Sequence, residues 1–125
     1  MITIHVQLSE RTRGLVGARE LSLMPPTAYL INTARGPIVD EAALVHALQA
    51  RAIAGAGLDV FDEEPLPANH PFTQLDNTVL MPHAGYVTEA QYRVRYRDSV
   101  EDIAAYLGGT PLRVLNPKAR EHERR

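Results

Sequence analysis

The sequence contains no cysteine among its 125 residues, which excludes a disulfide framework, a thiolate zinc site and a thiol nucleophile. No apolar run approaches the roughly 20 residues that a bilayer-spanning helix needs. The opening MITIHVQLSE lacks the basic stretch, long apolar segment and small-residue cleavage site of a signal peptide. A reducing cytoplasm is therefore the expected setting, with no membrane partner. Lysine is nearly absent, Lys118 being the single one, and 13 basic residues against 15 acidic ones leave a net charge of -2. Such a balance gives no electrostatic pull toward nucleic acid. His5, His46, His70 and His122 have no metal-ligand spacing, so no metal site is expected. Repeats are absent too, and the eight glycines nowhere form G-x-G-x-x-G.

What is present is 45% apolar and 22% charged residues, the balance of one soluble globular domain. Ile2, Ile4, Val6 and Leu8 alternate with polar residues, which predicts a strand at the start of the chain. A loop and one or two helical turns over residues 18–24 follow, stopped by Pro25 and Pro26. The compact run AYLINT (residues 28–33) predicts a buried strand ending at Arg35, Gly36 and Pro37. Asp40 is placed to cap a helix whose apolar stripe is Ala43, Leu44, Ala47 and Leu48. IAGAGLDV (residues 53–60) has the low polarity of a strand covered on both faces.

An acidic, proline-rich loop leads to a further strand at residues 78–81, broken by Pro82, His83, Ala84 and Gly85. Thr88 and Gln91 stand at capping-box spacing before a long helix. Its stripe is Tyr92, Tyr96, Val100, Ile103 and Leu107, a face for a core or a partner, and Gly108 and Gly109 end it. The tail KAREHERR (residues 118–125) is expected to be charged and disordered. Strands alternating with helices specify an α/β fold with a parallel sheet.

In open sheets of this class ligands bind beyond the carboxyl ends of the strands. Arg35, Asp59 with Glu64, and His83 all follow strand ends and should share that edge. An arginine fork suits a carboxylate, and a histidine beside a carboxylate, His83 with Glu64, can take and return a proton. Each residue also has a plainer use. Arg35 could pair with Asp40 or cap a loop, Asp59 could cap backbone amides, residues 62–64 could be a solvated acidic turn, and His83 could bond a carbonyl.

The segments LINTARGPIVDEAAL (residues 30–44), AGAGLDVFDEEPLP (54–67) and MPHAGYVTEA (81–90), preceded by ITIHVQLSERTRGLVG (2–17), resemble the NAD-dependent D-2-hydroxyacid dehydrogenases in order and spacing. The resemblance covers residues 1–117. It implies a partial Rossmann-like, doubly wound parallel sheet, the C-terminal half of the nucleotide-binding domain, with flanking helices. It further implies that Arg35 clamps the substrate carboxylate, that His83 is the acid/base and that Glu64 is its partner. His5, Val6, Thr33, Ala34, Arg35, Asp59, His83 and Gly85 would border NAD, with NADP not excluded. The substrate would be a small 2-oxo or 2-hydroxy acid.

The pattern departs from the family in lacking the glycine-rich turn, in lacking the substrate domain, and in having Gln7 where proline is frequent. A truncated or split oxidoreductase is thus expected, completed by a separately encoded N-terminal half or by self-association through the exposed first strand. The alternative is a noncatalytic remnant or regulatory interaction module. A phosphoacceptor signalling domain, admitted by length, lacks its strand-end lysine.

Overall fold

The computed structural model describes residues 1–117; the expected charged tail lies outside them. The described residues group into two compact units, Met1–Gly85 and the segment from Tyr86 onward. The first unit holds a four-stranded parallel sheet in the order β1 (Ile2–Ile4), β2 (Tyr29–Asn32), β3 (Gly55–Leu58) and β4 (Thr78–Leu80). Helix α1 (Ala18–Ser22) falls between β1 and β2, and α2 (Glu41–Gln49) between β2 and β3. This is the expected α/β, Rossmann-like arrangement. Ile4 pairs with Asn32, Asn32 with Leu58, and Leu58 with Leu80, so the four strands end level with one another.

The apolar pattern explains the core. Leu30, Ile38, Leu48 and Ile53 are wholly inaccessible, and Leu21, Leu44, Leu58 and Phe72 nearly so. Each such side chain contributes about 1.5–3 kcal/mol relative to exposure. Helix α2 starts where the sequence specified, the Asp40 carboxylate accepting from Ala43 N at 2.9 Å, and it buries Leu44, Ala47 and Leu48. The first strand is shorter than its alternating pattern suggests. Its neighbour β2 stops at Asn32, so beyond Ile4 there is no strand to pair with, and Val6 is 43% exposed in the loop that follows.

The second unit is built around α3 (Glu89–Leu107). Thr88 Oγ1 accepts from Gln91 N at 3.2 Å, and Gly108 closes the other end. Glu89 pairs with Arg93 at 2.6 Å, and Arg113 reaches Glu101 and Asp102 at 2.7 Å each. None of the α3 residues is buried. The stripe from Tyr92 to Leu107 is exposed in this unit, with Tyr92 and Tyr96 stacked on each other at 5.6 Å. Among the described residues no helix is long and apolar enough to cross a membrane.

Candidate active site

Because the strands are parallel and end level, the segments leaving their carboxyl ends emerge along one edge. Asn32 turns the chain out of β2. Its side chain is buried, with Oδ1 accepting from Ala34 N at 3.0 Å and Nδ2 donating to the Arg35 carbonyl at 2.9 Å. Arg35 is exposed, and its Nη1 donates to the Ala34 carbonyl at 2.6 Å. Pairing with Asp40 does not occur, because that carboxylate caps α2. A single 3₁₀ turn, Gly36–Ile38, then lies against the backbone of Phe61 and Asp62.

After β3, Asp59 is 6% exposed. Its Oδ1 accepts from Ala84 N at 2.8 Å, its Oδ2 from Gly85 N at 2.9 Å, and its carbonyl from His83 N at 2.8 Å. The expected amide capping is present: the carboxylate holds the loop that carries His83. A Cβ on Gly85 would lie 2.8 Å from Asp59 Oδ2, so only glycine admits this approach. His83 itself has φ +54°, a left-handed backbone uncommon for a side-chain-bearing residue.

Glu64 reaches back across its own turn, Oε1 accepting from Phe61 N at 3.0 Å, and Oε2 lies 2.7 Å from His83 Nδ1. A carboxylate on Nδ1 orients the ring and favours the tautomer with its proton on that nitrogen. Burial pushes the Glu64 carboxyl up, but the Phe61 amide, the His83 ring and the charge of Arg35 outweigh it and leave it below the ordinary glutamate value of 4.5. Arg35 is thus within electrostatic reach of the pair. Asp62 moves the opposite way, raised by burial and by Glu41 and Asp40.

The linkage gives a prediction. A carboxyl whose folded value is lowered stabilises the fold above its unfolded value and loses that contribution as pH falls through the folded one. Glu64→Gln should therefore be less stable than the parent near neutrality and show a shallower loss on acidification. Urea denaturation at about pH 7 and about pH 3.5 checks this; parallel curves for the two chains would refute it.

Two concavities flank these loops. A cleft of about 510 Å³ is lined by His5, Val6, Gln7, Leu8, Thr33, Ala34 and Arg35. Another of about 610 Å³ has Glu64 and His83 beside Leu66, Leu80, Met81 and Pro82. The sequence-selected residues therefore gather along one edge: His5, Val6, Thr33, Ala34 and Arg35 at the first cleft, Glu64 and His83 at the second, with Asp59 and Gly85 bonded beneath the His83 loop. Among the described residues no cluster suited to a metal ion occurs. Sequence reasoning gave Asn32 no role and used Gly36 only as a strand breaker, though a polar residue closing an apolar strand three positions before Arg35 was an available signal.

Residues 1–85 match the model of the D-isomer specific 2-hydroxyacid dehydrogenase, NAD binding domain family. The chain belongs to this family. A glyoxylate reductase from Thermofilum pendens is 49% identical over 117 residues, covering 93% of this chain and 34% of that protein. This dehydrogenase-family chain thus spans about a third of the length of that curated relative. Among solved structures, a D-isomer specific 2-hydroxyacid dehydrogenase from Xanthobacter autotrophicus Py2, in complex with NADPH and MES, is 40% identical with a TM-score of 0.69, covering 89% of this chain and 45% of that one. A D-lactate dehydrogenase with NAD+ from Lactobacillus jensenii is 31% identical with a TM-score of 0.77, covering 89% and 37%.

The nicotinamide end of such a cofactor fits the residues present. The first cleft opens at the strand ends, where exposed Thr33 and half-buried Ala34 border it with short side chains. The sequence contains no glycine-rich turn to cradle a pyrophosphate.

Proposed function

We propose that this chain supplies the acid/base and carboxylate-binding side chains for NAD(P)-linked interconversion of a small 2-oxo acid and its 2-hydroxy acid. The observation that carries this reading is the 2.7 Å contact between Glu64 and His83 on the edge that also presents Arg35. The bound nicotinamide would supply a hydride to the substrate carbonyl carbon, two electrons with one proton. His83, protonated and oriented by Glu64, gives a second proton from Nε2 to the carbonyl oxygen, so the products are a 2-hydroxy acid and the oxidised cofactor. Arg35 holds the carboxylate by a paired hydrogen bond that also orients the carbonyl. His5, Val6, Thr33 and Ala34 would hold the nicotinamide and its ribose, while the Asp59 carboxylate, bonded to Ala84 and Gly85, steadies the loop that carries His83.

The family membership and the glyoxylate reductase relative support a small 2-oxo acid as substrate. The open edge of the sheet fits the same reading. β1 pairs with β2 on one side only, and Ile2 is 43% exposed. Among the described residues no strand pairs with the outer side of β1, and a further parallel strand would hydrogen-bond there and cover it.

The test is an NADH fluorescence titration of the folded chain, with and without oxamate, a carboxylate whose adjacent carbonyl mimics a 2-oxo acid. Saturable binding that oxamate tightens in the parent but not in Arg35→Ala is expected. A folded chain that shows no saturable NADH binding, or an Arg35→Ala chain that responds to oxamate like the parent, would overturn the proposal.

A further inference from the structure

Asn32 and Asp59 are the buried polar side chains of the described core, 1% and 6% exposed. A polar group buried without partners is costly, so a carboxamide and a carboxylate inside an apolar core call for a reason. Both end on the backbone of a loop that carries a site residue. Asp59 holds Ala84 and Gly85, next to His83. Asn32 holds Ala34 and Arg35. They are also joined to each other, since Asp59 N donates to the Asn32 carbonyl at 3.0 Å. A continuous run of hydrogen bonds thus connects the Arg35 main chain to the His83 main chain through the ends of two adjacent strands.

We propose that Asn32 is a positioning residue for Arg35: its carboxamide, locked at both ends, sets where the Arg35 main chain leaves the sheet and so where the guanidinium stands relative to His83. This rests on the reading of Arg35 as the carboxylate clamp. Only a side chain with an acceptor and a donor on one short planar group closes both bonds. An aspartate keeps the acceptor for Ala34 N–H but, once ionised, faces the Arg35 carbonyl with a second acceptor. An alanine loses both bonds. A leucine of similar volume would fill the space and leave Ala34 N–H and the Arg35 carbonyl without these partners. Asn32 itself lines neither cleft but is bonded to Ala34 and Arg35, which line the first, so its effect on a ligand must pass through the loop.

The experiment uses the ¹⁵N-labelled full chain and reads the Arg35 Nε–Hε resonance together with the amides of residues 33–36, before and during titration with oxamate. In Asn32→Asp, the Arg35 resonance is expected to move in the ligand-free chain while the β3 and β4 amides stay in place. Half-saturation with oxamate should rise about tenfold, the scale of a reacting group displaced by a fraction of an ångström. Should this variant fail to fold, Asn32→Ser gives the same comparison, its hydroxyl accepting from Ala34 N–H without reaching the Arg35 carbonyl. An unchanged Arg35 resonance and an unchanged oxamate response in a folded variant would overturn the proposal, as would a displacement spread evenly over the sheet. A parent chain that ignores oxamate would instead overturn the carboxylate-clamp reading, and the ligand-free Arg35 resonance would still decide the role of Asn32.

Discussion

Under the proposed function, His83→Gln is expected to lower NADH-dependent reduction of a small 2-oxo acid by about 10²–10⁴-fold, the range that a positioned general acid contributes. The reference is the rate that the parent chain supports, alone or joined to the strands that complete its sheet. The physical argument starts from the loop. His83 N is bonded to the Asp59 carbonyl, and the next two amides are held by the Asp59 carboxylate. Exchanging the imidazole for a carboxamide leaves those bonds intact, so the loop and the melting temperature should change little. What disappears is the ring nitrogen proposed to carry a proton to the substrate oxygen. Glutamine retains a polar end toward Glu64 and so separates proton transfer from simple loss of a hydrogen bond. Steady-state kinetics with a matched melting curve checks the prediction. A variant that retains the parent rate would remove His83 from the chemistry, whereas a variant that melts far below the parent would show a structural role.

Much of this arrangement was legible in the sequence, for identifiable reasons. Strand positions followed from short apolar runs bounded by glycine and proline, and cap positions from Asp40 and Thr88, because these signals are local. The shared edge of Arg35, Asp59, Glu64 and His83 followed from topology alone, since parallel strands bring their ends together. Three features were not local and escaped. The extent of β1 depends on where its neighbour stops, at Asn32, and no pattern within residues 2–8 records that. The exposure of the α3 stripe depends on what packs against it, which a 3.6-residue period cannot specify. The work of Asp59 was left between a ligand contact and an amide cap, because the choice depends on residues 84 and 85, well away in sequence.

Gly36→Ala is expected to destabilise the unit Met1–Gly85 by about 3 kcal/mol or more, the upper range for forcing an extra methyl group into close-packed structure. A Cβ at this position would lie 2.1 Å from the Phe61 carbonyl carbon, 2.2 Å from its oxygen and 2.6 Å from Asp62 N. These are backbone atoms, so no side-chain rotation relieves the overlap. Movement is opposed on both sides. Phe61 packs in the core at 6% exposure and its N–H bonds Glu64, while the turn after Gly36 buries Ile38 completely. The glycine is needed for close approach rather than for backbone freedom, and Gly14 supplies the contrast. Gly14 has φ +63° and open space where a methyl group would stand, so Gly14→Ala should cost only about 1 kcal/mol of local backbone strain. Urea denaturation of both variants separates the two causes. Equal losses would mean that the Arg35 and Glu64 loops are not held together at Gly36. A large loss at Gly36 alone, with the Glu64 to His83 contact weakened in the surviving folded fraction, would show that this one contact holds the segment carrying Arg35 against the segment carrying Glu64.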